Sequence, residues 1–583
     1  LYAAAQRTTR WDGFAGDQDG SNPAIRHATK VGGVMSETVA GTPGPPVATV
    51  KGGVASDGLK RDAGFLGLLF TSEGSIIGSG WLLSALAVST IGGPAAVIAW
   101  LIGSVAVILL ALVHAELGGL FPVTGGTARF PHYAFGNLAG ASFGWFSWLQ
   151  AAGTAPIEVE AAIQYSANYV PGLAHKTGGT VVLTGWGYLV AVALMALFTV
   201  LNLYGIRRLL QANNAITAWK ITIPTLTIVV LLLTHFHGSN FTSHGFAPYG
   251  SRGVLEAVSL GGAVFSLVGF EQAVQLGGES RNPQRDIPRA VIGSMLIGAA
   301  IYLLLQIVFI AALPHGALDH GWHDVNYAGD FGPFAGLAKI LGLGWLAYIL
   351  YADAIIAPIG TGLVYTTTSS RLTYGMSKNG QVPALFEKTT KRTQVPYYGL
   401  IFAFLVGLLL FLPFPGWQKL VGFITSATVL MYAGAPLALG AMRHQKPDLP
   451  RPFRLRAAWF WAPASFIAAN WIIYWSGWET DWKLYVAVIL GYVLMGISRL
   501  TNANPIKPPM DWAAAIWLWP YLAGMALISY LGQFDGGRNV IPFYWDLVVV
   551  AVWSLIVYFV ALRLRLPPSR VDDYARDVYP VED

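Results

Sequence analysis

The chain has 583 residues, of which 54% are hydrophobic and only 11% charged, and its mean hydropathy is +0.52. Soluble globular chains carry about 25% charged residues, so the composition excludes an ordinary soluble domain and points into a bilayer. The formal net charge of +6 is spread over segment ends rather than gathered in one patch, which argues against nucleic acid. The absence of cysteine rules out disulfides and thiolate metal sites.

Residues 1–60 are polar and rich in glycine and proline, with no apolar core of signal-peptide length. They read as a disordered cytoplasmic tail, and Met35 in "VGGVMSETVAG" marks a candidate start. Beyond Lys60 come about fourteen apolar stretches, each near the ~20 residues that cross ~30 Å of hydrocarbon. They fall near 64–88, 93–113, 138–166, 182–203, 214–234, 254–277, 289–313, 338–369, 397–414, 418–440, 458–477, 482–499, 513–531 and 543–563. With the amino terminus inside, Lys and Arg concentrate in the inner loops, chiefly "RLTYGMSKNGQVPALFEKTTKRTQVP" and "RHQKPDLPRPFRLR". Residues 566–583 then form a second cytoplasmic tail. The outer loops carry His235, His237, His244, His315, His320 and His323 without a carboxylate or cysteine pattern, so they read as solvated and no metal is expected.

Two of the apolar stretches are interrupted. "GSIIGSG", Gly74 to Gly80, places three glycines and two serines in seven positions of the first span, although glycine costs about 1 kcal/mol against alanine inside a helix. Gly74, Gly78 and Gly80 can open the backbone there, with Ser75 and Ser79 supplying hydrogen bonds. An opened segment presents N–H groups at the start of a half-helix, which suits a carboxylate. "GGAVFSLVGFEQAVQLGGESRNPQRDIPRAV", Gly261 to Val291, is interrupted in the same way and carries Glu271 within the membrane. Paired interruptions in corresponding halves point to a transporter site at the midplane. Each opens a five-helix repeat, 64–234 and 254–440, running in opposite directions through the bilayer.

The same residues resemble the amino acid–polyamine–organocation superfamily of permeases. "GSIIGSGW" is similar to its first-helix motif and "FSLVGFEQAVQLGGESRNPQRDIPRAV" to its sixth helix and following loop. "SSRLTYGMSKNGQVP" resembles the end of its eighth helix, and "NLYGIRRLLQANNAITAWK" the entry to its fifth. The resemblance runs through 64–457, and the last four spans add nothing to it. It implies an all-α membrane protein with a LeuT-like inverted 5+5 core over 61–457, helices 1 and 6 discontinuous, and further spans over 458–565. It further implies that Ile76, Ser79 and Gly80 receive the substrate carboxylate. The amino group would meet carbonyls around Phe265, Ser266 and Val268, with Phe265 as an aromatic lid and Thr361 and Tyr365 facing substrate.

Ionisable residues inside spans are costly and usually functional. The candidates are Glu73, Glu158, Glu160, Lys220, Glu271 and Asp353. Glu73 and Lys220 sit at similar depth from the inner face, so the two can pair. The resemblance implies that Lys220 stands where sodium-coupled relatives hold their ion, hence proton coupling, and that Glu271 gates the site. Glu158 and Glu160 are two residues apart and point in different directions on a helix: one toward the outer vestibule, the other toward a neighbouring helix. Glu279 can latch the inner side by pairing with Arg281, Arg285 or Arg289. Asp353 has no assigned role.

These features describe a secondary active transporter of the plasma membrane, importing amino acids with protons by alternating access and needing no cofactor. An amino-acid or polyamine exchanger, or a carrier of another organic cation, is the alternative. No GxxxxGK[ST] phosphate loop and no converging catalytic set occurs, which argues against an ATP-driven pump and a membrane enzyme.

Overall fold

Long apolar runs whose backbone groups find no partner in lipid leave the α-helix as the available structure for this chain. The structure, a computed structural model, describes residues 63–177, 180–204, 207–327, 329, 331–414 and 416–575, so the expectations for residues 1–60 and for Met35 lie outside the described residues.

The first expected span divides into α1 (Phe65–Ile76) and α2 (Ser79–Gly92). Next come α3 (Ala96–Leu120), the short α4 (Gly126–Phe135) and α5 (Asn137–Ser166), which is buried on almost every face. α6 (Gly185–Leu203) begins at Thr184, whose hydroxyl accepts the Gly187 N–H at 3.1 Å and so caps it. α7 (Arg207–Thr234) completes the first half.

The second interrupted stretch, 254–277, is broken twice. α8 (Gly250–Ser259), α9 (Ala263–Ser266) and α10 (Glu271–Gln275) succeed one another with irregular backbone between them. α11 (Pro283–Ala312) and α12 (Pro333–Ile340) both start on proline, whose missing N–H is no loss at that position. α13 (Gly344–Lys378), α14 (Tyr397–Leu410), α15 (Trp417–Tyr432) and α16 (Gly434–Gln445) follow. The remainder comprises α17 (Ala458–Trp475), α18 (Trp478–Leu500), α19 (Trp512–Ala515), α20 (Leu518–Leu531), α21 (Trp545–Leu564) and α22 (Pro568–Ala575).

All fourteen apolar stretches therefore contain helix. Among the described residues, nine helical stretches are long and apolar enough to cross a membrane, while α1 and α14 are shorter apolar helices. The count falls below fourteen because interruptions shorten some segments and because polar side chains lower the hydropathy of others. Large apolar side chains such as Leu189, Leu409, Leu490 and Val552 are exposed on the outer helices, as a lipid-facing surface requires.

Two features were not anticipated. Between α5 and α6 a small antiparallel hairpin, β1 (Ala174–Thr177) and β2 (Thr180–Leu183), sets Ala174 opposite Leu183. The expected carboxy-terminal tail starts as a docked helix: Val571 and Ala575 of α22 are buried, and Arg570 forms an ion pair with Asp511 at 3.2 Å.

Candidate functional site

The break in the first segment lies at Ile77 and Gly78, so Gly74 ends up inside α1 and Gly80 inside α2. Both sides of the break are stitched to other helices. The Tyr302 hydroxyl of α11 donates to the Ile76 carbonyl at 2.8 Å. Lys220 of α7 donates to the Gly74 carbonyl at 2.8 Å and to Thr361 Oγ1 of α13 at 2.7 Å. The first N–H of α2, on Ser79, points at Glu158 Oε2 of α5 at 2.8 Å, and the Ser79 hydroxyl donates to Glu158 Oε1 at 3.1 Å.

A carboxylate thus sits on the opened half-helix, as the glycine pattern suggests, but it belongs to the protein. Gly78 leaves room for it: a Cβ there would lie 2.7 Å from Glu158 Oε1 and 3.0 Å from Thr361 Oγ1, so the carboxylate would have to shift.

The second interrupted segment meets the first at Gly269, whose φ of +140° favours glycine and whose Cβ would lie 2.6 Å from the Ile76 nitrogen. Glu271 holds this turn. Its carboxylate accepts the Gly269 N–H at 2.9 Å, the Tyr432 hydroxyl at 2.5 Å and the Tyr365 hydroxyl at 3.0 Å. Ser72 of α1 donates to the Phe270 carbonyl at 3.3 Å, a second bridge between the interrupted segments.

Between them lies a cavity lined by Ser75, Ile76, Gly78, Gly80, Thr154, Glu158, Phe265, Val268, Thr361 and Tyr365. It is tight, with about 10 Å³ open to the centre of a water molecule. Six of the eight residues singled out for substrate, Ile76, Gly80, Phe265, Val268, Thr361 and Tyr365, line it together. Ser79 stands just behind, accepting the Trp417 indole N–H at 3.0 Å, while Ser266 is turned away to Ser84 at 2.8 Å and the Gly262 carbonyl at 2.8 Å. Phe265 packs edge-on against Trp417, with ring centroids 5.9 Å apart.

Several electrostatic expectations are corrected. Glu73 and Lys220 do not pair: Lys220 bonds to Gly74 and Thr361, and both carboxylate oxygens of Glu73 are buried without a hydrogen-bond partner among the described residues. Lys220 reaches the carbonyl of the next residue, Gly74, and not the Glu73 carboxylate. Lys220 instead acts electrostatically on Glu158 and Asp353. Neither Glu158 nor Glu160 faces an open vestibule, since each is only 1% exposed. Asp353, left without a role, accepts the indole N–H of Trp81 at 3.0 Å and of Trp219 at 2.7 Å, joining α2 and α7 to α13. Glu279 forms an ion pair with Arg371 at the end of α13, 3.9 Å away, rather than with an arginine of its own loop. Both partners are partly exposed, so that pair contributes little.

The residue that sequence reasoning misplaced is Glu158. The available signal was the proline two positions earlier in "TAPIEVEAA": a glutamate beside a helix-weakening proline inside a membrane segment seldom serves packing alone.

An interrupted membrane helix with a buried anion seat, closed by a second interrupted segment, defines a membrane carrier. The chain belongs to the amino acid permease family, whose description matches residues 64–495. That match extends beyond residue 457 and takes in α17 and most of α18, so the added helices are not wholly foreign to the family pattern. Over 510 residues the chain is 38% identical to the glutamate/serine transporter AimA of Bacillus subtilis, covering 87% of this chain and 94% of the relative. It is 36% identical over 506 residues to the aspartate-proton symporter of the same organism, covering 87% and 96%. The branched-chain amino acid permease BcaP, also of Bacillus subtilis, is 24% identical over 449 residues, covering 75% and 92%.

Proposed function

We propose that this amino acid permease imports small polar and acidic amino acids, glutamate, aspartate and serine among them, across the cell membrane together with protons. The observation that carries this reading is the anion seat at Ser79, set beside the buried ammonium of Lys220. An opened helix N-terminus and a fixed cation both favour a carboxylate. Two relatives with more than 30% identity, a glutamate/serine transporter and an aspartate-proton symporter, support the substrate class and the coupling ion.

In this reading the substrate α-carboxylate docks at the break, on Ile76 at the end of α1 and on Ser79 and Gly80 of α2. Its ammonium meets carbonyls around Phe265, Ser266 and Val268, Phe265 closes above it, and Thr361 and Tyr365 shape the side-chain end. Lys220 and Glu271 act in coupling and gating. Glu73 is the weakest candidate for that work, because no charged group among the described residues pairs with it. Alternating access proceeds through inverted repeats, 64–234 and 254–440, in a fourteen-span LeuT-like bundle, with a cytoplasmic amino-terminal tail over 1–60, a ten-helix core over 61–457 and both termini cytoplasmic.

The test is uptake by proteoliposomes of a labelled amino-acid panel, with and without an inward proton gradient. Accumulation driven by the gradient, strongest for glutamate, aspartate or serine, is the expected result. Exchange against internally loaded amino acid without net uptake would make the protein an antiporter. Silence in both formats would overturn the reading.

A further inference from the structure

The seat at the opened first segment is already filled. Glu158 engages both donors that Ser79 offers, its backbone N–H and its hydroxyl, at 2.8 and 3.1 Å. Gly78, without a side chain, lets the carboxylate press against the break. The surrounding cavity has room for about one water, so even a small amino acid does not fit while the Glu158 side chain holds this position. The seat has one occupant at a time.

The helix around Glu158 is built to yield. Pro156 lies two residues before it inside α5. Proline removes one backbone hydrogen bond of the helix and loosens the turn behind it. Withdrawal of the side chain from Ser79 is therefore a local event on α5.

The charges fix what must accompany that withdrawal. Among the described residues, the titratable groups that meet Glu158 are Lys220 from α7, Tyr302 from α11 and Tyr365 from α13; Glu73 of α1 stands beyond Tyr302, and Asp353 of α13 beyond Lys220. Glu271 lies on the far side of Tyr365, already satisfied by two tyrosine hydroxyls and a backbone N–H. Among the described residues, Lys220 is the sole cation in this set. With Glu158 seated, its negative charge faces two donors and one ammonium. When a substrate carboxylate takes over the donors, the displaced Glu158 becomes a second anion with no donor of its own. Burying such a charge unpaired costs several kcal/mol, and a proton removes it.

We propose that Glu158 is a built-in competitor for the substrate carboxylate, and that an amino acid binds by displacing it in protonated form, one proton entering on the Glu158 carboxyl with each substrate. The inference rests on the transport reading above and adds where the substrate and the proton exclude one another's absence: the seat passes from one carboxylate to another, and the proton stays with the one expelled. It also sets a specificity rule. A ligand with a carboxylate can replace Glu158, whereas an amine without one has nothing to offer Ser79.

The experiment is binding of L-glutamate, L-aspartate and L-serine to the purified full-length protein in nanodiscs, followed by calorimetry across a range of pH. Repeating each titration in buffers of different ionisation enthalpy counts the protons taken up. The expected result for the wild type is uptake of one proton per substrate, with Kd rising by up to about tenfold per pH unit where Glu158 is ionised. In Glu158→Gln both effects should vanish, leaving binding flat with pH. Glu158→Asp, which is one methylene too short to span both Ser79 donors, should bind substrate more tightly than wild type at alkaline pH while keeping a pH slope. It carries the test if the glutamine variant does not fold.

A wild-type slope and proton count retained in Glu158→Gln would overturn the proposal and leave the transport reading standing. So would unchanged or weaker binding by Glu158→Asp at alkaline pH. Failure of the wild type to bind or accumulate any of the three amino acids would overturn the transport reading, and this inference with it.

Discussion

Lys220 Nζ donates to Thr361 Oγ1 at 2.7 Å, and the same nitrogen reaches the Gly74 carbonyl at 2.8 Å. One ammonium thus ties α7, α13 and the last turn of α1 together beside the break. Its charge is buried, 1% exposed, and is answered at longer range by Glu158 and Asp353.

Lys220→Ala removes this tie and the cation. Gradient-driven uptake should fall by at least about tenfold, equivalent to about 1.4 kcal/mol, while substrate binding stays measurable by calorimetry. Unchanged gradient-driven uptake in proteoliposomes would take Lys220 out of the coupling.

Ser79→Leu deletes the hydroxyl that bonds Glu158 and Trp417 and puts an isobutyl group next to the seat. Affinity for glutamate should drop by more than about tenfold, read as Kd on the purified variant. Wild-type affinity would mean that the gap in the first segment serves only close packing. Gly78→Ala should be as damaging, since its methyl group would fill the space beside Ser79 that any bound carboxylate, now that of Glu158, must occupy.

Glu116 holds together the loop end of the bundle. Its carboxylate, fully buried, takes Arg443 at 2.6 Å, the Leu455 N–H at 2.7 Å and an ion pair with Arg451 at 3.1 Å. Glu116→Gln leaves two arginines without their anion and should cost about 3–5 kcal/mol of stability. The readout is thermal unfolding in detergent, where a Tm within about a degree of wild type would refute the estimate.

His132 of α4 predicts an acid limit. Burial, and then repulsion from Arg129, hold its imidazole down to about 4 from the ordinary 6.5. The unfolded chain takes up that proton below about 6.5, whereas the folded chain resists it until about 4. Stability from this site is therefore complete above the upper value and declines as pH falls through the interval, by up to about 1.4 kcal/mol per unit. Melting curves of wild type and His132→Gln should diverge from each other in that window. Parallel curves would show that the histidine does not titrate on unfolding.

The interruptions were legible because a strongly apolar segment tolerates "GSIIGSG" or "GGAVFSLVGF" at mid-depth only if the backbone there is used. Gly78 and Gly269 mark places where other segments press against the two interruptions. Rotation about a helix axis was not legible. α5 is buried on nearly all sides, so no polar stripe distinguishes the face of Glu158 from that of Glu160. The mismatch of Glu73 with Lys220 has the same origin, since depth can be counted along a sequence and azimuth cannot. α22 was hidden for another reason: its sequence is polar, and it is held by a few specific bonds to Asp511 rather than by an apolar face long enough to recognise.

Asp511 also receives the Asn137 N–H at 3.1 Å, and Asn137 is the first residue of α5; the Tyr574 hydroxyl bonds the same carboxylate at 2.6 Å and Arg570 its other oxygen at 3.2 Å. The helix that bears Glu158 is therefore pinned at its base by the carboxy-terminal helix, about 30 Å below the seat at 1.5 Å per residue. The seat and this anchor are thus served by one continuous helix: Glu158 reaches Ser79 from the far part of α5, while Asp511, Arg570 and Tyr574 hold its first turn.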